Sequence, residues 1–282
     1  MNNTRSAKEI IEPQFVIEGA GVLLRRSITP KVSNRFDPFL LFDHFAFNDP
    51  AEGPIKGFPM HPHRGIETVT YILQGSVTHR DSLGNAGLIG PGDIQWMTSG
   101  GGILHEEMPR RGPDGKIDGF QLWVNLPAKE KMSLPHYRGI EASSIPVINK
   151  PGIHVRIVAG AMDGFTGPIT EIAGNPVYLD ATLDPEVHIE IPVPENYTCL
   201  AYVFDGRGFF GDQEVESVKM VFFGPGDHVA VCTKTSAVRF VFIAGMPIGE
   251  PIVPYGPFVM NTLEEIQQAL ADLKNGSFVR NK

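Results

Sequence analysis

Two short motifs in this chain each pair residue types that bind metals in proteins. One is His61-Pro-His63, and the other is His105-Glu-Glu107, further along the chain. Residues i and i+2 of a β-strand point to the same face of a sheet. If the two motifs lie on neighbouring strands, three imidazoles and the Glu107 carboxylate converge on one point, while Glu106 faces outward. The spacing therefore predicts a mononuclear metal site inside a β-barrel, with these four residues as its ligands.

Three neutral imidazoles and one carboxylate suit borderline divalent metals, so Fe, Mn, Co, Ni, Cu and Zn are all compatible with this ligand set. A structural zinc site would more often use cysteines and close at four ligands. Here, four protein ligands would leave two positions of an octahedron open for a substrate, or for a substrate and dioxygen. Glu67 is a rival carboxylate ligand if a β-bulge intervenes at Gly65.

The remaining histidines are isolated, and an isolated histidine is more often a structural residue than a metal ligand. We therefore expect structural roles for His44, His79, His136, His154, His188 and His228. Asp43, next to His44, is interpreted as a residue that could cap a turn.

Several large side chains flank the two motifs. Phe58, Met60, Trp96 and Met97 could line an apolar pocket for a flat aromatic substrate. Packing in the core is the alternative for each of them. Gln121 is a polar residue within an otherwise apolar run. It could bind substrate or orient a metal ligand, or it could face water.

Short alternating runs of apolar residues, separated by Gly, Pro, Asp and Asn, recur along the chain. They cover 15–24, 67–73, 119–125, 154–159, 200–204, 219–223 and 238–244. With 31 glycines and 24 prolines in 282 residues, this pattern predicts an all-β fold of short strands. One helix is predicted over 262–274, because Thr262 and Glu265 form a capping box and Gly276 ends the apolar periodicity.

The two halves of the chain repeat one pattern. Tyr71 to Gly75 leads to Gly90-Pro-Gly-Asp93, and Tyr202 to Gly206 leads to Gly224-Pro-Gly-Asp227. Repetition of the same hairpin and turn predicts two β-barrel domains of the jelly-roll type. We place them at 1–135, with the metal site, and 136–282, with the C-terminal helix. The second barrel lacks an equivalent ligand set, so we expect it to serve as a scaffold, a dimer surface or a partner surface.

Composition and charge exclude several functional classes. The net charge is -8 and the pI is about 5.6, with no Lys/Arg cluster beyond two small pairs, so direct binding to nucleic acid is disfavoured. No run of eighteen apolar residues is present, which argues against a membrane span. Two cysteines fit a reducing compartment. We expect a soluble cytoplasmic protein, and a nuclear location stays open for a eukaryotic source.

Longer strings carry a resemblance to a known family. The chain resembles the pirin family of the cupin superfamily at His61-Pro-His63-Arg-Gly, Asp93-Ile-Gln-Trp-Met-Thr-Ser-Gly100, Gly102-Ile-Leu-His-Glu-Glu107 and Pro257-Phe-Val-Met-Asn-Thr262. The match extends over nearly the whole chain. It implies a bicupin fold with one metal ion in the N-terminal cupin, held by His61, His63, His105 and Glu107, and it makes Fe(II) the first choice. The general cupin signature places the metal glutamate where Glu67 lies, whereas pirins use the position of Glu107.

The resemblance also implies a reaction. Pirins are similar to quercetin 2,3-dioxygenases in their site and, in several cases, in activity. The partners would then be O2 and a small, flavonol-like aromatic substrate. In this hypothesis the enolic oxygen of the flavonol binds the metal, and Glu107 acts as the catalytic residue that accepts its proton. Dioxygen then cleaves the ring, with release of carbon monoxide.

Two other interpretations compete with the dioxygenase. Mammalian pirins are described as nuclear, redox-responsive transcriptional coregulators, and some bacterial pirins as modulators of metabolic enzymes. An acidic chain without a basic patch would act in this way through a protein partner. The third interpretation is a metal-stabilised structural protein, which predicts zinc with four ligands and no open position.

Overall fold

The computed structural model describes residues 3–30, 35–48, 51, 53 and 55–279. The chain divides into two compact units. Gln14–Ala142 and Ile248–Lys282 form one, here called the histidine unit, and Met1–Pro13 and Ser143–Pro247 form the other, here called the companion unit. Both units are built from antiparallel strands, and the described residues contain one α-helix. The predicted all-β class is therefore confirmed.

The regular elements, numbered in chain order, are short strands followed by a terminal helix. They are β1 (Ala7–Ile11), β2 (Gln14–Glu18), β3 (Val22–Ile28), β4 (Phe39–His44), β5 (Phe58–His63), β6 (Ile66–Gln74), β7 (Ser76–Asp81), β8 (Ala86–Ile89), β9 (Ile94–Thr98), β10 (Ile103–Arg110), β11 (Asp118–Asn125), β12 (His136–Ile140), β13 (Val147–Lys150), β14 (Ile153–Ala159), β15 (Ala161–Met162), β16 (Phe165–Thr166), β17 (Val177–Leu183), β18 (His188–Pro192), β19 (Thr198–Phe210), β20 (Gln213–Glu216), β21 (Lys219–Phe223), β22 (His228–Cys232), β23 (Val238–Gly245), β24 (Val253–Tyr255), β25 (Phe258–Met260) and α1 (Leu263–Asn275).

Two main sheets form the histidine unit. The larger has the strand order β12-β9-β6-β11-β4-β3-β2, and the smaller has the order β5-β10-β7-β8. β5 and β10 are thus hydrogen-bonded neighbours, so the two motifs that contain the ligand-type residues lie side by side, as predicted. Leu24 and Ile72 from the larger sheet share a buried cluster with Val77 from the smaller sheet.

Helix α1 begins and ends as its sequence predicts. The Thr262 side chain accepts a hydrogen bond from the backbone of Glu265, and the Glu265 carboxylate accepts one from the backbone of Thr262. Gly276 ends the helix with a φ of 74°, a left-handed value that glycine adopts readily. Within the described residues, no helix is long and apolar enough to cross a membrane.

The two compact units differ from the predicted limits of 1–135 and 136–282. β1 pairs with β21 in the companion unit, and β12 pairs with β9 in the histidine unit. Helix α1, predicted to belong to the second domain, lies in the histidine unit. Two long-range contacts of Arg64 hold α1 and the strand before it in this unit. The backbone of Arg64 forms a β-bridge with Phe258, and the Arg64 side chain, which is 1% exposed, lies 2.7 Å from the carboxylate of Asp272.

The companion unit has an apolar interior. Its core includes Phe210, Phe240 and Phe242, all fully buried, and burial of each such side chain contributes about 1.5–3 kcal/mol. His188 and Glu190 are exposed. Among the described residues of this unit, no three His, Cys, Asp or Glu side chains are spaced to hold a metal ion.

Candidate metal centre and ligand cavity

Three histidines of the smaller sheet converge in the interior of the histidine unit. His61 lies directly opposite His105 in the pairing of β5 with β10. The ring centroid of His105 is 4.3 Å from that of His61 and 5.0 Å from that of His63. One ring nitrogen from each of the three lies within 4.8 Å of the others. This spacing is suitable for three ligands of one metal ion.

Backbone carbonyls orient two of these rings. His61 Nδ1 lies 2.9 Å from the carbonyl oxygen of Pro59, and His63 Nδ1 lies 3.2 Å from that of Pro257. A carbonyl can only accept, so both Nδ1 atoms carry the proton and both Nε2 atoms present lone pairs. These two Nε2 atoms are 3.1 Å apart. Two lone pairs at this distance repel each other unless a cation lies close to both.

His105 lacks the hydrogen bonds that a buried imidazole normally makes. Its side chain is fully buried, and neither ring nitrogen has a hydrogen-bonding partner among the described residues. Leaving a buried polar group unpaired costs about 1–3 kcal/mol, so native structures rarely do so without a bound species. A metal ion at the centre of the three imidazoles would supply the missing partner, and the residues therefore fit a metal.

Burial keeps the three imidazoles in the neutral form that binds metals. Desolvation lowers the pKa of His63 to about 3 and holds the pKa of His105 well below its ordinary value. Burial also lowers the pKa of His61, against the opposing effect of its hydrogen bond to Pro59. Because a protonated imidazole has no free lone pair, the neutral rings can bind a metal near neutral pH without first losing protons.

Glu107 follows His105 on β10 but is displaced by a register shift. His105 is opposite His61, whereas Glu107 is opposite Phe58. A carboxylate oxygen of Glu107 lies within 4.8 Å of ring nitrogens of His105 and His79. His105 is therefore the residue common to both groups. Burial raises the pKa of Glu107 to about 7, against the opposing effect of a hydrogen bond from Thr70, and a nearby cation would favour the ionised form.

Thr70 connects Glu107 to Gln121. Its hydroxyl oxygen is 2.8 Å from Glu107 Oε1 and 2.9 Å from Gln121 Oε1. A hydroxyl has one proton, so it cannot donate to both oxygens at once. When Glu107 is ionised, Thr70 donates to the carboxylate, and the Gln121 amide must turn by 180° so that its N–H, in place of Oε1, faces the hydroxyl. Of the roles left open for Gln121, this contact favours that of orienting a candidate ligand.

Gln121 and Thr70 belong to a polar row that crosses the larger sheet. Its members lie opposite one another on β3, β4, β11, β6 and β9; they are Arg26, Asp43, Gln121, Thr70 and Gln95. Side chains opposite one another share a face of the sheet. Asp43 therefore does not cap a turn, because it lies within β4 and both of its carboxylate oxygens accept hydrogen bonds from Arg26. Of this row, the sequence indicated a role near the substrate or metal only for Gln121.

A cavity of 490 Å³ opens onto this centre, a volume within the usual range for small-molecule sites. His61, His63 and Glu107 line it, as do Thr70 and the substrate-binding candidates Phe58 and Gln121. The other apolar side chains of its walls include Val22, Leu24, Leu41, Phe45, Val77 and Trp123.

Three other residues predicted near the substrate lie elsewhere. Met60 is 52% exposed, because the alternation of side chains along β5 turns it away from the face of His61. Trp96 and Met97 are buried but do not line the cavity. Trp96 and Met97 therefore pack in the core, which was the alternative to lining the substrate pocket.

Glu67, the rival carboxylate, is engaged away from the histidines. One of its oxygens accepts a hydrogen bond from the Trp96 indole at 2.9 Å, and the other accepts from the Thr98 hydroxyl at 2.8 Å. Along β6, Glu67 and Thr70 are an odd number of residues apart and so face opposite sides of the sheet. Glu106 also faces away from the centre, with its carboxylate 3.9 Å from Arg80.

His79, one of the histidines expected to be structural, lies close to two of the candidate ligands. Its ring is fully buried, with its centroid 5.4 Å from that of His105. His44, His154 and His228 instead bond to polar side chains outside the cavity, namely those of Asp118, Asn149, and Thr4 with Asp227. His136 and His188 are exposed. The sequence did hold a signal for His79, because it stands two residues before Asp81, which is again a pair of ligand types at strand spacing.

Comparison with known proteins gives full-length matches. The family model described as Pirin matches residues 21–124, and the one described as Pirin C-terminal cupin domain matches residues 178–279. A pirin-like protein of Caulobacter vibrioides is 44% identical over 276 residues, which cover 97% of this chain and 99% of that protein. Pirin of Homo sapiens is 42% identical over 264 residues, covering 92% of this chain and 88% of that one. The crystal structure of a quercetin 2,3-dioxygenase from Acinetobacter baumannii has a TM-score of 0.88 and 34% identity over 98% of both chains.

Proposed function

This chain belongs to the pirin family, whose members carry two cupin domains, and from that premise we propose that it is a metal-dependent dioxygenase. Its substrate is a flavonol or a similar flat aromatic compound with an enolic hydroxyl group. The observation that carries the proposal is the fully buried His105, whose ring nitrogens have no partner among the described residues, next to a cavity that can hold a small molecule.

The proposed ligands are His61, His63, His105 and Glu107. The carbonyls of Pro59 and Pro257 fix the two rings of β5, as outer partners of ligand histidines commonly do. This N3O set suits Fe(II) and also accepts Mn, Co, Ni, Cu or Zn. These four residues would hold the ion, which would supply Lewis-acid activation of the enolic oxygen and, for a redox-active ion such as Fe(II), the redox capacity for reaction with dioxygen.

Glu107 is the proposed proton acceptor. Its carboxylate is buried, lines the cavity, and takes a hydrogen bond from Thr70 through one oxygen only. The other oxygen can accept the proton of the substrate's enolic hydroxyl, because burial raises the pKa of Glu107 while a bound cation would keep the carboxylate ionised before the proton arrives. Thr70 keeps the carboxylate in place while the proton moves.

The apolar walls of the cavity hold the rings of the substrate. Phe58, Leu41 and Trp123 line it close to the histidines, and the ring centroid of Trp123 is 5.1 Å from that of His63. Aromatic and aliphatic walls favour flat apolar rings over water. Exclusion of water protects the deprotonated substrate and strengthens the electrostatic contacts of Glu107.

Oxygen consumption tests this proposal. Anaerobically purified protein reconstituted with Fe(II) is given quercetin, and O2 uptake is followed together with the flavonol absorbance band. We expect metal-dependent uptake that is lost in the His61→Ala/His63→Ala double variant and in Glu107→Gln, and that persists in Glu106→Gln. Absence of uptake by protein that holds one tightly bound redox-active metal would instead favour a redox-sensing regulator that acts through a protein partner. A four-coordinate zinc ion would favour a structural role.

A further inference from the structure

The polar row of the larger sheet ends in a charged cluster that also lines the cavity. Glu18, Arg26 and Asp43 form this cluster. Arg26 donates from Nε and Nη2 to the two carboxylate oxygens of Asp43 at 2.8 and 2.7 Å, and from Nη1 to Glu18 Oε1 at 2.8 Å. His61, His63 and Glu107 line other parts of the cavity, so the reaction proposed at the enol assigns no role to this cluster.

The charges of the cluster favour one kind of ligand. One guanidinium faces two carboxylates, so the three side chains together carry a single negative charge. The Nε and Nη2 edge of Arg26, which could bind an anion in a bidentate manner, already donates both of its hydrogen bonds to Asp43. The carboxylates of the cluster would therefore repel an anionic ligand, whereas they could accept a hydrogen bond from a neutral hydroxyl group.

Two acceptors on this wall remain open. Glu18 bonds Arg26 through Oε1, and its Oε2 has no hydrogen-bonding partner among the described residues. The Glu18 side chain is 44% exposed, so this oxygen is accessible. Gln121 also lines the cavity, and its Oε1 lies 2.9 Å from the Thr70 hydroxyl. When Glu107 is ionised, the Thr70 proton goes to Glu107, so the Gln121 amide turns to donate its N–H to Thr70 and leaves its carbonyl oxygen for the cavity.

We propose that Glu18 and Gln121 form a second binding position in the cavity, which accepts hydrogen bonds from phenolic hydroxyl groups on the substrate ring remote from the enol. The inference rests on the proposed function and narrows its substrate class to neutral aromatics that carry hydroxyl donors at both ends. A phenol donates to a carboxylate in a charge-assisted hydrogen bond, which is stronger than a bond between neutral groups. A carboxylate or sulfate group on that ring is disfavoured by repulsion from Glu18 and Asp43.

Binding of a matched series of flavonols tests the proposal. Quercetin, kaempferol and galangin share the enol and ketone but carry two, one and no hydroxyl groups on the remote ring. Their Kd values are measured with the full-length, metal-loaded protein under nitrogen, by quenching of intrinsic fluorescence. We expect binding to weaken from quercetin to galangin by roughly three- to tenfold overall, the range for a hydrogen bond to an accessible group. Glu18→Met should lose most of this preference and bind galangin as the wild type does.

Glu264→Met is the matched control, because Glu264 is exposed on α1 and does not line the cavity. It should keep the order of the three flavonols, which excludes a general effect of removing a carboxylate. Equal affinity of the wild type for all three compounds, or an unchanged preference in a folded Glu18→Met protein, would overturn the inference and leave the proposed function intact. Failure of all three flavonols to bind would instead remove the proposed function, and this inference with it.

Discussion

His79 lies directly opposite Glu107 in the antiparallel pairing of β7 with β10, and Asp81 lies opposite His105. The Asp81 carboxylate accepts hydrogen bonds from the backbone N–H groups of Leu83 and Asn85, and its second oxygen is 3.3 Å from His79 Nε2. Asp81 thus orients the ring of His79 through its Nε2 atom. Its Nδ1 atom has no hydrogen-bonding partner in the part of the chain that the structure describes.

His79→Ala should weaken metal binding, because it removes the side chain packed between Asp81 and the ligands of β10. His79 lies within 4.8 Å of a ring nitrogen of His105 and a carboxylate oxygen of Glu107, and removal of a residue that positions metal ligands typically costs about 10- to 100-fold in metal affinity. Competition for Zn(II) against a chromophoric chelator measures the effect, and thermal unfolding of the metal-free variant reports any loss of packing separately. His154→Ala, at an exposed position bonded to Asn149, should bind as the wild type does. Equal affinity of both variants would show that His79 has no part in the centre.

Thr70→Val should lower turnover by about tenfold while the fold stays intact. Valine keeps the shape of threonine but cannot donate to Glu107 or accept from Gln121, and one hydrogen bond to a charged group contributes about 1.5–3 kcal/mol. Thr68→Val is the control from the same face of β6. The Thr68 hydroxyl is buried without a partner among the described residues, so its removal should leave both turnover and thermal stability at or above wild type. Similar losses in the two variants would refute the role given to Thr70.

Glu107→Gln and Glu67→Gln should affect different properties, the first the metal content and the second the stability. Glu107→Gln should lose bound metal, since it removes the only carboxylate in the ligand set. Glu67→Gln should keep its metal but lower the free energy of unfolding by about 1–3 kcal/mol, because an amide can no longer accept from both Trp96 and Thr98. Elemental analysis and chemical denaturation measure the two quantities. Loss of metal in Glu67→Gln alone would reinstate Glu67 as the carboxylate ligand.

Cys199 should be inert to alkylation in the native protein. It is fully buried, and burial raises the pKa of its thiol to about 12, so the reactive thiolate is scarce at any pH well below that value. At pH 8, iodoacetamide should therefore modify the native chain only at Cys232, which is partly exposed, and should modify both thiols in denaturant. Peptide mass spectrometry locates the label. Rapid labelling of Cys199 without denaturant would show that the companion core opens readily.

Local patterns predicted those features that depend on neighbouring residues. Alternation along β10 was sufficient to direct His105 and Glu107 inward and Glu106 outward, and the capping box at Thr262 was sufficient to start α1. The same rule also shows why Met60 could not share a face with His61. Alternation along β5 places Met60 on the face opposite His61, in agreement with the exposed side chain of Met60.

Features that depend on the pairing of distant segments could not be predicted from local sequence patterns. The polar row joins five strands, and only their register places Arg26 beside Asp43 and Gln121 beside Thr70. The predicted domain limits differ from the two compact units for the same reason, since nothing near Asp272 in the sequence indicates that it pairs with Arg64. The register shift between His105 and Glu107 is another such feature, because it is visible only when β10 is aligned with β5.

The carbonyl of Pro257 holds the ring of His63 across 194 positions of sequence, and this sets an order of events during synthesis. All four proposed ligands leave the ribosome before residues 143–247, the larger part of the companion unit, are made, and Pro257 follows only after them. A nascent chain can thus present every ligand while His63 still lacks the group that fixes its tautomer. Maturation of the centre is therefore a late step of biogenesis, which waits for the C-terminal hairpin to return to the barrel that was synthesised first.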